Sequence, residues 1–170
     1  MKVALTAASA LMLSTYAAHA GALDRTGQSV AVLFEKGRYA EFSFGSINPS
    51  VTGVGTAGVG GGASGNMSKD YLQYGAAYKA DINDTWSYAL IFDKPYGADV
   101  DYPTGTGYFA AGSTAEFTSN AITGILQYNM PSNLSSYGGI RLQTISADAV
   151  IPFVSGYSAT GDRDFGVGYL

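Results

Sequence analysis

Between Tyr71 and Asp93 the chain writes two stretches of strict two-residue alternation around the short polar turn Asp81–Thr85. In the first, Leu72, Tyr74, Ala76, Tyr78 and Ala80 fall on one side, while Gln73, Gly75, Ala77 and Lys79 fall on the other. In the second, Trp86, Tyr88, Leu90 and Phe92 oppose Ser87, Ala89, Ile91 and Asp93. A side-chain period of two is that of β-strands. Aromatics on one face, with small and polar residues on the other, match the wall of a lipid-facing barrel. A half-buried soluble sheet also alternates, so the pattern alone leaves both architectures open.

The same rhythm predicts strands at Tyr39–Gly45, Glu116–Asn129 and Tyr137–Val150, and a sixth beginning at Phe165. Within Glu116–Asn129, Phe117 is out of phase with Ile122, which predicts either a bulge or an extension beyond a bilayer. The expected connections alternate in length: Ile47–Asp70 long, Asp81–Thr85 short, Lys94–Thr114 long, Met130–Ser136 short and Pro152–Arg163 long. Outer-membrane barrels place tight turns in the periplasm and long loops outside. Six strands do not close such a barrel, which takes an even number from about eight upward. The expectation is therefore an all-β transmembrane antiparallel barrel, of which this chain supplies the N-terminal five to six strands.

The first twenty residues sharpen this. Lys2 is followed by an apolar run, Val3–Met12, and by the small-x-small sequence Ala18-His19-Ala20, as in a cleaved secretory signal. The run is shorter than the roughly 20 residues a membrane-spanning helix needs. Residues 1–20 thus read as a signal peptide, 21–37 as a short N-terminal segment and 38–170 as the strand region. Export followed by alternating strands predicts the bacterial outer membrane.

Composition removes several function classes. Beyond the leader the chain carries eight basic residues (nine less Lys2) against thirteen acidic, a net charge of −5. Scattered cations on a negative chain make a poor nucleic-acid binder. Cysteine is absent, and the single histidine, His19, lies in the leader. A Ser-His-Asp triad and His- or Cys-ligated metal sites are therefore not expected, nor is any cofactor. The pairs Asp81/Asp84, Asp99/Asp101 and Asp162/Asp164 sit among Gly, Pro, Asn or Thr, where acidic residues form turns and solvated loops. The glycine run Val54–Gly65 lacks the Gly-Lys-Ser/Thr ending of a phosphate loop and reads as a flexible loop.

Several stretches carry a family resemblance. They are Gly21-Ala22-Leu23-Asp24-Arg25-Thr26-Gly27-Gln28, Tyr39-Ala40-Glu41-Phe42-Ser43-Phe44-Gly45, Ser64-Gly65-Asn66-Met67, and above all the run from Trp86 through Lys94-Pro95-Tyr96-Gly97 to Tyr102-Pro103. In these the chain resembles the FadL/TodX family of outer-membrane transporters of hydrophobic compounds. The resemblance implies a 14-stranded barrel closed by an N-terminal hatch. It also implies passive uptake of long-chain fatty acids or other hydrophobic small molecules, in many members with exit sideways through a gap in the wall. Implied partners are outer-membrane lipid, lipopolysaccharide and the outer-membrane assembly machinery. The segment 21–37 is shorter than that family's hatch and lacks its Asn-Pro-Ala element.

Inward-facing cations are the candidates for holding a fatty-acid carboxylate. Arg141 lies between Ile140 and Leu142, and Lys79 lies on the polar side of its strand; Arg25 is a further candidate in the N-terminal segment. Polar barrel interiors also place Arg and Lys against Asp or Glu for stability alone. The competing expectation is a small outer-membrane barrel with a structural or adhesion role.

Overall fold

The computed structural model describes residues 23–170. The leader assigned to residues 1–20 lies outside the described residues. The fold is all-β: β1 (Tyr39–Ile47), β2 (Tyr71–Asp81), β3 (Trp86–Asp93), β4 (Gly97–Asp101), β5 (Thr114–Asn129), β6 (Ser135–Ile151) and β7 (Tyr157–Tyr169). They form one antiparallel sheet in the order β1-β2-β3-β5-β6-β7, with β4 paired to β5 above the end of β3. No α-helix occurs among the described residues. Ahead of β1, residues Ala31–Phe34 make a single 3-10 turn.

The strands expected at 39–45, 71–80, 86–93, 116–129 and 137–150 are all present, several of them longer. Two expectations need correction. Gly97–Asp101, within the expected loop Lys94–Thr114, is a strand, because β5 continues past the end of β3 and offers it an unpaired edge. The last strand begins at Tyr157 rather than Phe165, so the connection after β6 is the short turn 152–156, with Ser155 and Gly156 at positive φ. Of the two readings of Phe117, a bulge or an extended strand, the extended strand holds: β5 pairs with β6 in unbroken register from Thr114↔Val150 to Asn129↔Ser135. The irregularity lies between β6 and β7, where the step from Ile145 to Ala147 is matched by three residues of β7.

Register assigns every side chain to one of two faces. Phe42, Phe44, Leu72, Tyr78, Trp86, Leu90, Ile122, Leu126, Ile140, Leu142, Phe165 and Val167 share one face, and all are exposed. Cross-strand aromatic pairs tie that face together: Trp86 with Tyr128 at 4.9 Å, Tyr78 with Tyr88 at 6.1 Å and Tyr74 stacked on Phe92 at 6.0 Å. Such pairs contribute about 0.5–1.5 kcal/mol each beyond area burial. The opposite face carries Ala77, Lys79, Ser87, Ala89, Ile91, Asp93, Ala121, Thr123, Ile125 and Gln127, all buried. The 3-10 turn covers it, with Val32 and Leu33 packed into Ala77, Ala89, Ile91 and Ile125. Small residues on these strands leave room for that turn. The molecule thus has a covered face, where the core sits, and a bare apolar face.

Candidate functional site: an opening in the sheet and its buried ion pairs

The sheet is interrupted between β2 and the β3–β4 junction. Ladder pairing of β2 with β3 ends at Ala76↔Phe92. Higher up, the chain just before β2 meets β4 again through the bridge Ser68↔Val100. Between these two points residues 70–75 and 93–98 do not pair with each other, which leaves an eye-shaped opening. The cause lies in Lys94-Pro95-Tyr96: Pro95 has no N–H to give a ladder and holds a fixed φ. Across the gap the Gln73 side chain donates Nε2–H to the Lys94 carbonyl at 3.1 Å, while its Oε1 is buried without a partner.

The N-terminal segment sits in this opening. Arg25 donates its backbone N–H to the Pro95 carbonyl at 2.8 Å, and Gly97 donates to the Leu23 carbonyl at 3.0 Å, so Asp24 and Tyr96 stand directly opposite each other. The Asp24 carboxylate then turns the chain by accepting from the amides of Thr26 and Gly27 at 3.1 and 2.8 Å. On the β2 side of the segment a cleft of about 230 Å³ remains, lined in part by Thr26, Ser43, Gln73, Gly75 and Phe92. Most of its lining, including Glu41, Ser43, Gln73, Ala77, Ile91 and Asp93, belongs to the covered face of the sheet.

All three expected cations are buried and all three are paired. Arg25 Nη2 lies 3.0 Å from Asp99 Oδ2, with the side chains 6% and 14% exposed, and its guanidinium stacks 3.7 Å above the Tyr71 ring. Gly97 makes this possible, because a Cβ there would overlap the guanidinium. Arg141 Nη2 lies 3.1 and 3.2 Å from the two oxygens of Asp93, and its Nη1 donates to Thr123 Oγ1 at 2.8 Å. The Arg141 Nε–H is buried without a partner. Asp93 Oδ2 also accepts the Thr26 hydroxyl at 2.7 Å. Lys79 stands apart at the turn end of β2, where Nζ pairs with Asp81 and donates to the Gly37 carbonyl at 3.2 Å.

The structure therefore brings Arg25 and Arg141 to one site, joined through Thr26 and Asp93, and leaves Lys79 in another. Sequence reasoning missed Asp93, Thr26, Gly97 and Asp99. For Asp93 a signal existed, since alternation places it on the polar side of β3 with Ser87 and Ala89. Among the described residues no three acidic, His or Cys side chains gather as a metal site. Asp99 is held by Arg25, and Asp101 by Lys69 at 3.3 Å.

No family model, curated protein or solved structure matches the chain.

Proposed function

We propose that the chain forms part of an outer-membrane β-barrel that passes long-chain fatty acids or similar hydrophobic compounds. The observation that carries this reading is the bare face: a continuous band of large apolar and aromatic side chains across six paired strands, exposed to whatever surrounds the sheet. In water such a band is a strong aggregation liability, and against lipid it is the required surface. The buried polar residues of the other face fit the interior wall of a barrel. At 17 residues β6 spans about 55 Å, beyond the roughly 10 residues that cross a bilayer, so β5 and β6 would project into the loop region.

In this reading the fatty-acid tail lies along the covered face and its carboxylate exchanges with Asp93 at Arg141, whose Nε–H is already free to donate. The opening between β2 and the β3–β4 junction is then the sideways exit. Apolar cargo gains from leaving by that route, because it reaches the bilayer without crossing water.

Expression in a Gram-negative host, with membrane fractionation and uptake of a labelled long-chain fatty acid, tests the proposal. The expected result is detergent-dependent recovery from the outer membrane and uptake above that of the empty host. Recovery as a detergent-free soluble protein would refute it.

A further inference from the structure

We infer that Asn83, at the turn between β2 and β3, is an acceptor for N-linked glycosylation, taking an oligosaccharide from a polyprenyl-pyrophosphate carrier. The inference needs export of the chain and is independent of the transport reading.

The sequence across the turn is Asp81-Ile82-Asn83-Asp84-Thr85. It holds the acceptor triplet Asn-x-Thr with no proline between, and an acid two residues ahead of the asparagine. Bacterial oligosaccharyltransferases read both features. Two other triplets occur, Asn66-Met67-Ser68 and Asn133-Leu134-Ser135, but Ser64 and Pro131 stand where the acid is needed. Asn48-Pro49-Ser50 is barred by its proline.

The fold presents the asparagine that the pattern selects. Asp81 ends β2 and Trp86 opens β3, so residues 82–85 form the tip of a hairpin, on which Ile82, Asn83 and Asp84 are exposed. Asn83 Oδ1 accepts the backbone N–H groups of Thr85 and Trp86, both at 2.9 Å. Among the described residues no hydrogen bond engages its Nδ2. At Asn66, by contrast, Nδ2 donates to the Pro49 carbonyl at 3.3 Å, while Oδ1 accepts from the amides of Val51 and Ser68.

A carboxamide nitrogen is a weak nucleophile, because its lone pair is shared with the carbonyl. Two N–H donors on Oδ1 draw charge toward the oxygen and make Nδ2–H more acidic, so the proton that must leave is held less tightly. In the transfer Nδ2 attacks C1 of the first sugar and the Nδ2–C1 bond forms. The C1–O bond to the carrier breaks, and polyprenyl pyrophosphate leaves with the electron pair. One Nδ2 proton passes to a base of the transferase. The turn's two hydrogen bonds are both made by Oδ1, so the glycosylated hairpin keeps them. In the proposed barrel this short turn lies just beyond the aromatic pair Trp86–Tyr128, so the sugar stands in periplasmic water and not in lipid.

The full chain, expressed in a Gram-negative host with a bacterial oligosaccharyltransferase and an undecaprenyl-pyrophosphate oligosaccharide, should gain a glycan that peptide mass spectrometry places on Asn83. Asn66 and Asn133 should stay unmodified. Thr85→Val keeps the shape of the side chain without its hydroxyl and should lose the glycan. Asp81→Asn should lose it too, whereas Asp81→Glu should retain it. An unmodified Asn83 beside a modified control acceptor in the same cells, equal modification of Asn66 or Asn133, or an undiminished glycan on Asp81→Asn would each overturn the inference. Retention of the chain in the cytoplasm would do the same. A glycan at Asn83 on a chain that neither binds nor takes up fatty acid would keep the inference and refute the transport reading.

Discussion

The two halves of β2 make an instructive pair. From Ala76 to Lys79 the strand is clasped on both edges, by β1 and by β3; from Tyr71 to Gly75 its backbone pairs with β1 alone. The side-chain alternation runs through both halves without a break, so nothing in β2 itself distinguishes them. The difference comes from the neighbour. Strand β3 stops at Asp93 because Pro95 follows, and the chain resumes as β4 displaced toward β5. Whether a sheet is closed or open at a given point is thus decided by the weaker of two facing strands.

Substitutions can break or sharpen that contrast. The largest effect is expected from Asp93→Ala, which removes the counter-ion of a buried guanidinium at the border of the two halves. Breaking a buried pair in this way costs about 3–5 kcal/mol. The chemical denaturation midpoint of the folded protein should fall accordingly, whereas Lys79→Met at the closed end, where Asp81 remains exposed to solvent, should cost less. A midpoint unchanged by Asp93→Ala would show that the Arg141 pair is not part of the folded state. Next comes Tyr74→Ala, which removes the ring stacked on Phe92 at the lower margin of the opening. A loss of about 1 kcal/mol is expected. Hydrogen exchange should quicken at the amides of Ala76 and Phe92, while Tyr78→Ala should leave those two amides protected. Equal acceleration in both variants would erase the distinction between the halves. Smallest is Lys69→Ala above the opening: its pair with Asp101 is about half exposed on both sides, and such pairs contribute about 0.2–1 kcal/mol. A larger loss on that substitution would mean that the upper margin is held more tightly than its exposure indicates.

Much of the sheet was legible because hairpins of period two declare themselves: Leu72 to Ala80 and Trp86 to Phe92 show which face each residue takes. The face of Arg141 followed from Ile140 and Leu142 in the same way. What could not be read was pairing between segments without alternating apolar residues. Gly97-Ala98-Asp99-Val100-Asp101 has turn composition, and it is a strand only because the edge of β5 is free at Thr114–Thr118. Tyr157–Arg163 has the polar composition of a loop, yet it follows β6 for the same reason. The site was half legible. Three cations were picked out, but their acids lie 48 and 74 residues away for Arg141 and Arg25, a separation at which local pattern is silent. For Lys79 the partner stood two positions on, within view.

The rim of the opening at Pro95–Gly97 bears one further consequence. It offers a carbonyl at one residue and an amide two residues on, and both are taken by main-chain atoms of the incoming segment. Recognition of that kind reads spacing and direction of a backbone, as in β-augmentation, and is blind to most side chains. The bare Cα of Gly97 adds a single side-chain criterion, space for a planar guanidinium. The rim is therefore an address written almost wholly in peptide geometry, and substitutions along Leu23–Thr26 should be tolerated except at Asp24, whose carboxylate holds the turn, and where they touch Asp93 or Asp99.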